Sequence, residues 1–536
     1  MRKLSILFIG AIFATNAFAQ IKSEIKSLEG EKWWGMATGR GEEMPFNEKS
    51  RKINLNTSHA GNQASPLLLS NKGRYIWSEK PFAMEYKNGN LIIDSKFEKL
   101  SPVQAGKTLK DAYLSASKKH FAPDGKIPPE EFFTHPQFNT WIELVRNQNQ
   151  ADIEKYAEAI AENKFPCGVI MVDGGWDRGL GLLEFRKDKF DDPKALHKKI
   201  HQMGYKIIYW IGPFILSAGG EFMDWEKEGV LLQDRTKKGR KGCTKKRAAV
   251  IPWWSGFSAS YDTTDPKAMA HLQNRLTALA EKYDIDGFKF DGGDVHHVTG
   301  KNVLFDDPNA TPSDYTKGWA MLAYRFPYNE LRASWKMGGK AVVQRLHDKK
   351  YSYEDIKKLI PQMTVAGLIG SAYTCPDMIG GGEIGSFENI DQTKFDQRLI
   401  VRSAQASALM PMMQFSLAPW RVLDKKHLAI CKNVADLHVR FGGYIIKLAK
   451  HASKTGEPIV RSMEYEFPNQ DFENCNDQFM LGDQFLVAPV IDENDYRYVK
   501  LPKGKWRDEL GNIYDGRKTI KIDAPIERLP YFEKIN

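Results

Sequence analysis

The stretch that most constrains this chain is residues 284–294, DIDGFKFDGGD. Residues 285–290 set apolar side chains around Lys289 and read as a short buried strand, which delivers Asp291 into the pair Gly292 and Gly293. An amphipathic helix is predicted ahead of it over 268–283, with Met269, Leu272, Leu276, Leu279 and Ala280 at helical spacing. A helix, an apolar strand, and an aspartate with glycines at the strand's carboxyl end form the layout of a (β/α)8 barrel, whose strand ends carry the active site. An aspartate there can equally be a helix N-cap. The question is therefore whether other strands end in the same way.

They do. From about residue 138 the chain alternates strand and helix. Strands are expected over 140–144, 169–172, 206–211, 285–290 and 340–345, and the runs 368–373, 407–412 and 458–461 can complete the eight of a barrel. Helices are expected over 150–163 and 193–203. Asp173, Asp291 and Asp348 each follow a strand, and Asp377 lies just beyond another. One such ending is a cap, whereas several converging on one rim make a site. Before the barrel, short alternating runs at 53–55, 66–69, 75–77 and 91–93 predict a small all-β unit. The expected order is an N-terminal β-sandwich over 20–135, an α/β barrel over 136–470 and a β-sheet domain over 471–536.

With 536 residues, 42% of them hydrophobic, the chain is long enough for two or three cored domains. Residues 1–19 read as a cleavable leader: Arg2 and Lys3, an apolar run over 4–14, then Ala17 and Ala19 at the cleavage positions. The expected location is periplasmic or secreted. No later apolar run reaches membrane-spanning length, so no membrane insertion is expected. The basic run at 237–247 lacks the interleaved aromatics of a nucleic-acid surface and reads as a solvated loop. Five cysteines without paired short spacing argue against a disulfide scaffold or a zinc site, and the adjacent His296 and His297 cannot easily share one ion. Neither a metal nor a cofactor is expected.

Carboxylates at a barrel mouth suit glycosidic bond cleavage. One carboxylate serves as nucleophile or base and the other donates a proton to the leaving oxygen. No Gly-x-Ser-x-Gly elbow points to esterase chemistry instead.

From about residue 50 onward the chain resembles glycoside hydrolase family 31. The resemblance is carried by residues 190–193 (FDDP), Leu196 with His197, 204–206 (GYK), 253–256 (WWSG), 261–266 (YDTTDP), 461–468 (RSMEYEFP) and 478–490 (QFMLGDQFLVAPV). It implies Asp291 as nucleophile and Asp348 as acid/base, since residues 349–361 fit the segment after that acid without a gap. It also implies Asp377 in a substrate-binding turn, Asp173 gripping sugar hydroxyls and Trp254 as a subsite wall. Arg345 would be the arginine beside the nucleophile, although the family's longer connection from that arginine to the acid/base is then missing.

Lys289 stands where the family's α-glucosidases carry tryptophan, and residues i and i+2 of a strand share a face. The string resembles the nucleophile strand of α-galactosidases in the same clan, where the lysine holds galactose hydroxyls. Gln414 and Ser416 stand where the glucosidases have arginine and histidine. The resemblance therefore implies a retaining exo-α-galactosidase acting on a small oligosaccharide or glycoconjugate, with no nucleic-acid partner. The alternatives are an α-N-acetylgalactosaminidase, α-glucosidase or α-xylosidase of the same fold, or a non-catalytic carbohydrate-binding protein.

Overall fold

Parallel strands buried on both faces must be apolar throughout, and the chain supplies such strands where the sequence is plainest. In the computed structural model, which describes residues 20–235, 247–388 and 395–535, they build an eight-stranded parallel barrel. Its strands are β1 (Gln137–Asn139), β2 (Val169–Val172), β3 (Lys206–Ile211), β4 (Gly287–Phe290), β5 (Tyr328–Leu331), β6 (Gln344–Arg345), β7 (Thr374–Cys375) and β8 (Gln414–Phe415). Neighbours in this order pair in parallel from β1 to β7, and β8 returns to β1. A bridge between Met378 and Gln414 nearly closes the ring. The leader at 1–19, residues 237–246 of the basic run and Cys243 lie outside the described residues. Among the described residues, Cys167, Cys375, Cys431 and Cys475 form no disulfide with one another.

The helices begin where their caps place them. Asp192 before Pro193, Asp265 before Pro266 and Thr311 before Pro312 each accept a backbone N–H from the first turn, and proline's fixed φ suits that position. The helix Pro266–Tyr283 buries Met269, Leu272, Leu276 and Leu279, the face read from the sequence.

Several expected strands fall elsewhere. Residues 141–144 form a helical turn, and the first strand precedes them at β1. The fifth strand is β5, and the run at 340–345 contributes only the short sixth strand β6. Residues 368 and 407–408 end helices, and β7 and β8 follow them. Val460–Arg461 leaves the barrel and pairs antiparallel with Phe479–Leu481 in the C-terminal six-stranded sheet. The missed barrel strands share a cause: they carry buried polar side chains, Gln137, Asn139, Glu330, Gln344, Arg345 and Gln414 among them. Apolar runs are poor markers of such strands.

Between β5 and β6 the barrel has no helix. The chain instead runs out as Ser334–Trp335 and pairs in parallel with Gln63 and Ala64 of the N-terminal region. That region comprises a four-stranded sheet and four strands of a second sheet, which Ser334–Trp335 extends to five, around a core that includes Ile25, Leu67, Tyr75 and Leu91. At the other end, Arg402 on the helix Gln397–Ala408 is fully buried. It donates to the carbonyls of Ala524 (2.7 Å) and Asn494 (3.1 Å) in the C-terminal domain.

Candidate active site

The carboxyl ends of β2 to β7 deliver one connected set of charges. Asp291 leaves β4 with both carboxylate oxygens engaged. Arg332 Nε donates to Oδ1 at 2.9 Å, as does the Gly292 N–H at 2.8 Å, and Trp210 Nε1 donates to Oδ2 at 3.2 Å. Burial alone would raise the pKa of this carboxyl. Arg332, Lys289 and Arg345 overcome it and hold the group well below the usual carboxylate range. Asp291 is thus an anion at any ordinary pH.

Lys289, one side-chain alternation back on the same strand, donates to Asp173 Oδ2 at 2.6 Å. Burial pulls the ammonium's pKa down, and Asp173, Glu330 and Asp291 together more than offset it, so the lysine stays charged. Asp173 Oδ1 accepts from the Gly174 N–H at 2.8 Å.

Asp348, after β6, accepts from Arg345 Nη1 at 2.7 Å. Side-chain exposure falls from 39% at Asp348 to 16% at Asp291 and 5% at Lys289, which orders these charged groups from rim to floor. Trp254 is half exposed at the tip of the hairpin Ile251–Trp253 and Gly256–Ser260, with the Arg332 guanidinium 5.6 Å from its ring centre.

Two expectations need revision. The arginine hydrogen-bonded to Asp291 is Arg332. Arg345 instead joins Asp348, Asp377 (2.9 Å) and Glu330 (3.2 Å) inside the barrel. The long connection that was missing when counted from Arg345 runs from Arg332 to Asp348. Asp377 Oδ1 accepts from Arg345 and Oδ2 from the Lys349 N–H at 2.7 Å, so its carboxylate is oriented by both. Burial, abetted by Asp348 and opposed by Arg345, pushes its carboxyl up to about 6, and its backbone holds φ 123°, a costly region for any residue but glycine. Gln414 and Ser416 are fully buried: Gln414 Nε2 donates to Glu330 Oε2 at 2.6 Å and Ser416 Oγ accepts from the Ile142 N–H at 2.7 Å. They complete the barrel interior and do not line a sugar pocket.

The sequence reading passed over Arg332, Trp210 and Asp294. Arg332 follows β5 as Asp291 follows β4, but β5 itself was unrecognised. Asp294 grips the far side of the same guanidinium, with Arg332 Nη2 donating at 2.6 Å and Nη1 at 3.0 Å. Replacing Arg332 by Gln removes the strongest charge favouring the Asp291 anion. The pKa of Asp291 should then rise, and the acidic limb of kcat/KM should move to higher pH by about 1–3 units. A pH–rate profile on any turned-over aryl glycoside reads this directly; an unmoved limb would dissociate Arg332 from the ionisation of Asp291.

A profile described as the glycosyl hydrolases family 31 TIM-barrel domain matches residues 128–448, and one described as the family's C-terminal domain matches 456–536. A mouse protein named myogenesis-regulating glycosidase is 27% identical over 419 residues, covering 76% of this chain and 57% of its own length. The α-xylosidase XylQ of Lactiplantibacillus pentosus is 26% identical, over 74% of this chain and 51% of its own. The chain thus spans about half the length of these curated relatives. A family 31 dextranase from Flavobacterium johnsoniae, solved with glucose, superposes with a TM-score of 0.83 at 20% identity, over 97% of this chain and 67% of its own.

Proposed function

The chain belongs to glycoside hydrolase family 31, and on that footing we propose that it is a retaining, exo-acting α-galactosidase. The observation that carries the sugar preference is the buried Lys289–Asp173 pair beside the nucleophile. An ammonium fixed there by a carboxylate offers its remaining N–H donors to neighbouring hydroxyls, and the carboxylate offers acceptors, which suits a pair of adjacent sugar hydroxyls of defined orientation. A tryptophan in its place would offer only bulk and one N–H.

The proposed reaction is a double displacement. Asp291 attacks the anomeric carbon through Oδ2, the oxygen with only one donor, while Asp348 gives a proton to the departing oxygen. The developing positive charge on the sugar lies against the Asp291 anion. Asp348 then takes a proton from water, which releases the sugar with its α configuration retained. Trp254 supplies an aromatic wall at the rim, where the leaving group departs. The location proposed for this activity, on the leader read at 1–19, is periplasmic or secreted.

A second reading, α-xylosidase or α-glucosidase, draws on the activity named for XylQ and on the glucose in the dextranase structure. A panel of nitrophenyl α-glycosides separates the two. The galactoside should show the highest kcat/KM, and a preference for xyloside or glucoside would replace our reading with the second.

A further inference from the structure

The gap left by the missing helix between β5 and β6 is filled from the N-terminal region, and what enters it touches the catalytic backbone. Gln63 Nε2 donates to the carbonyls of Arg332 and Arg345, each at 2.8 Å. These are the two arginines that hold Asp291 and Asp348. Arg332 Nη1 donates in return to the Gly61 carbonyl at 2.8 Å. Asn62 Oδ1 accepts the His347 N–H at 2.8 Å, and Asn62 Nδ2 donates to His347 Nδ1. The second bond requires a ring nitrogen with a free lone pair. Burial, reinforced by the Lys349 and Arg332 charges, supplies it by holding His347 at about 2, so the ring is neutral.

Asp348 consequently sits between two clamped neighbours. His347 is held by Asn62, and the Lys349 N–H is held by Asp377 at 2.7 Å. Lys349 Nζ also donates to the His347 carbonyl at 2.7 Å, closing the turn on itself. Asn62 and Gln63 are both fully buried, and the Ser334–Gln63 register fixes their position along the strand. Neither residue touches a carboxylate of the site in this structure. Their effect passes through His347 and the arginine carbonyls.

We propose that Asn62 and Gln63 are positioning residues for proton transfer by Asp348, so that an element outside the barrel sets the aim of the acid/base. The proposal rests on the reading of Asp348 given above. General acid catalysis depends on a placement within hydrogen-bond reach of the leaving oxygen, and displacement of a reacting group by about 1 Å costs roughly 10²-fold. A leaving group that departs without a proton escapes this cost. A loss confined to poor leaving groups is therefore the mark of a misaimed acid, and a merely structural defect lowers all substrates together.

The experiment uses the full chain and whichever α-sugar the wild type cleaves, as the dinitrophenyl and the methyl glycoside. For Asn62→Ala and Gln63→Leu, kcat/KM on the methyl glycoside should fall about 10²-fold, and on the dinitrophenyl glycoside less than about 3-fold. Asn62→Asp, which keeps an acceptor for the His347 N–H, should stay near the wild-type ratio. Equal losses on both substrates, or none on either, would overturn the proposal. Asp348→Ala is measured alongside. If it shows no preference between the leaving groups, the acid/base reading itself fails; if it does and the Asn62 and Gln63 variants do not, only the positioning proposal fails. Should Asn62→Ala not fold, Asn62→Ser, too short to reach His347, is read by the same ratio.

Discussion

Asp291→Ala is expected to lower kcat by roughly 10⁴-fold or more, the order seen when a covalent nucleophile is deleted. The surroundings make the expectation sharper than a bare loss. The substitution leaves Arg332 Nε, the Gly292 N–H and Trp210 Nε1 without the acceptors they now have. Lys289 and Arg345 lose the same neighbouring anion. The vacancy is small, cationic and rich in donors, which suits azide. Azide should restore turnover of an aryl α-galactoside by attacking the anomeric carbon from the side the carboxylate occupied, while the aglycone leaves. The product is then the β-galactosyl azide, with inverted configuration. Retained activity in the variant, or an azide product of α configuration, would remove Asp291 from its role.

The second large effect concerns Lys289. Lys289→Met deletes the ammonium and strands the Asp173 carboxylate in a site where both side chains are almost wholly buried. Breaking a buried pair from one side typically costs about 3–5 kcal/mol. Denaturant unfolding should show a loss of that order, and the double substitution with Asp173→Asn should recover most of it. Activity should not follow stability. The double variant lacks the charged donor and acceptor for two hydroxyls, each bond being worth about 1.5–3 kcal/mol, so galactoside kcat/KM should stay depressed by roughly 10²-fold or more. Loss of a positive neighbour also raises the pKa of Asp291, but Arg332 and Arg345 remain and keep it ionised near neutrality. The defect should therefore be largely independent of pH around 7. If galactoside, glucoside and xyloside activities fall in step, Lys289 holds the barrel together and does not choose the sugar.

How much of this was legible follows from where the polar residues sit. The first half of the barrel announces itself: β2 and β3 are apolar runs, and the helix before β4 displays its buried face at regular spacing. The second half does not. Glu330 on β5, Arg345 on β6 and Gln414 on β8 point into one buried network, so β5 and β8, though fully in the core, show no apolar run. The same network explains the misplaced arginine. Arg345 stands close to Asp348 in sequence and in space, and without β5 nothing marked Arg332 as a strand-end residue. Asp173, Asp291 and Asp348 were visible because glycines or charged residues follow short strands there. The contribution of Asn62 and Gln63 could not be read from sequence, because it depends on which part of a distant β unit fills an absent helix.

The Arg402 guanidinium has a consequence for how such an enzyme can be divided or recombined. Its cage is made mostly of main-chain oxygens that belong to the last part of the chain, joined there by Asp495 Oδ1 at 3.4 Å, whereas the helix bearing it belongs to the barrel. Cutting the polypeptide between them would remove these oxygens together with that anion and leave Gln405 Oε1, at 2.9 Å, on the barrel side. A transplanted barrel would need Arg402 exchanged for an apolar residue before it could stand alone, whereas a terminal domain borrowed from a relative would serve if it presented carbonyls and an acid at the same points.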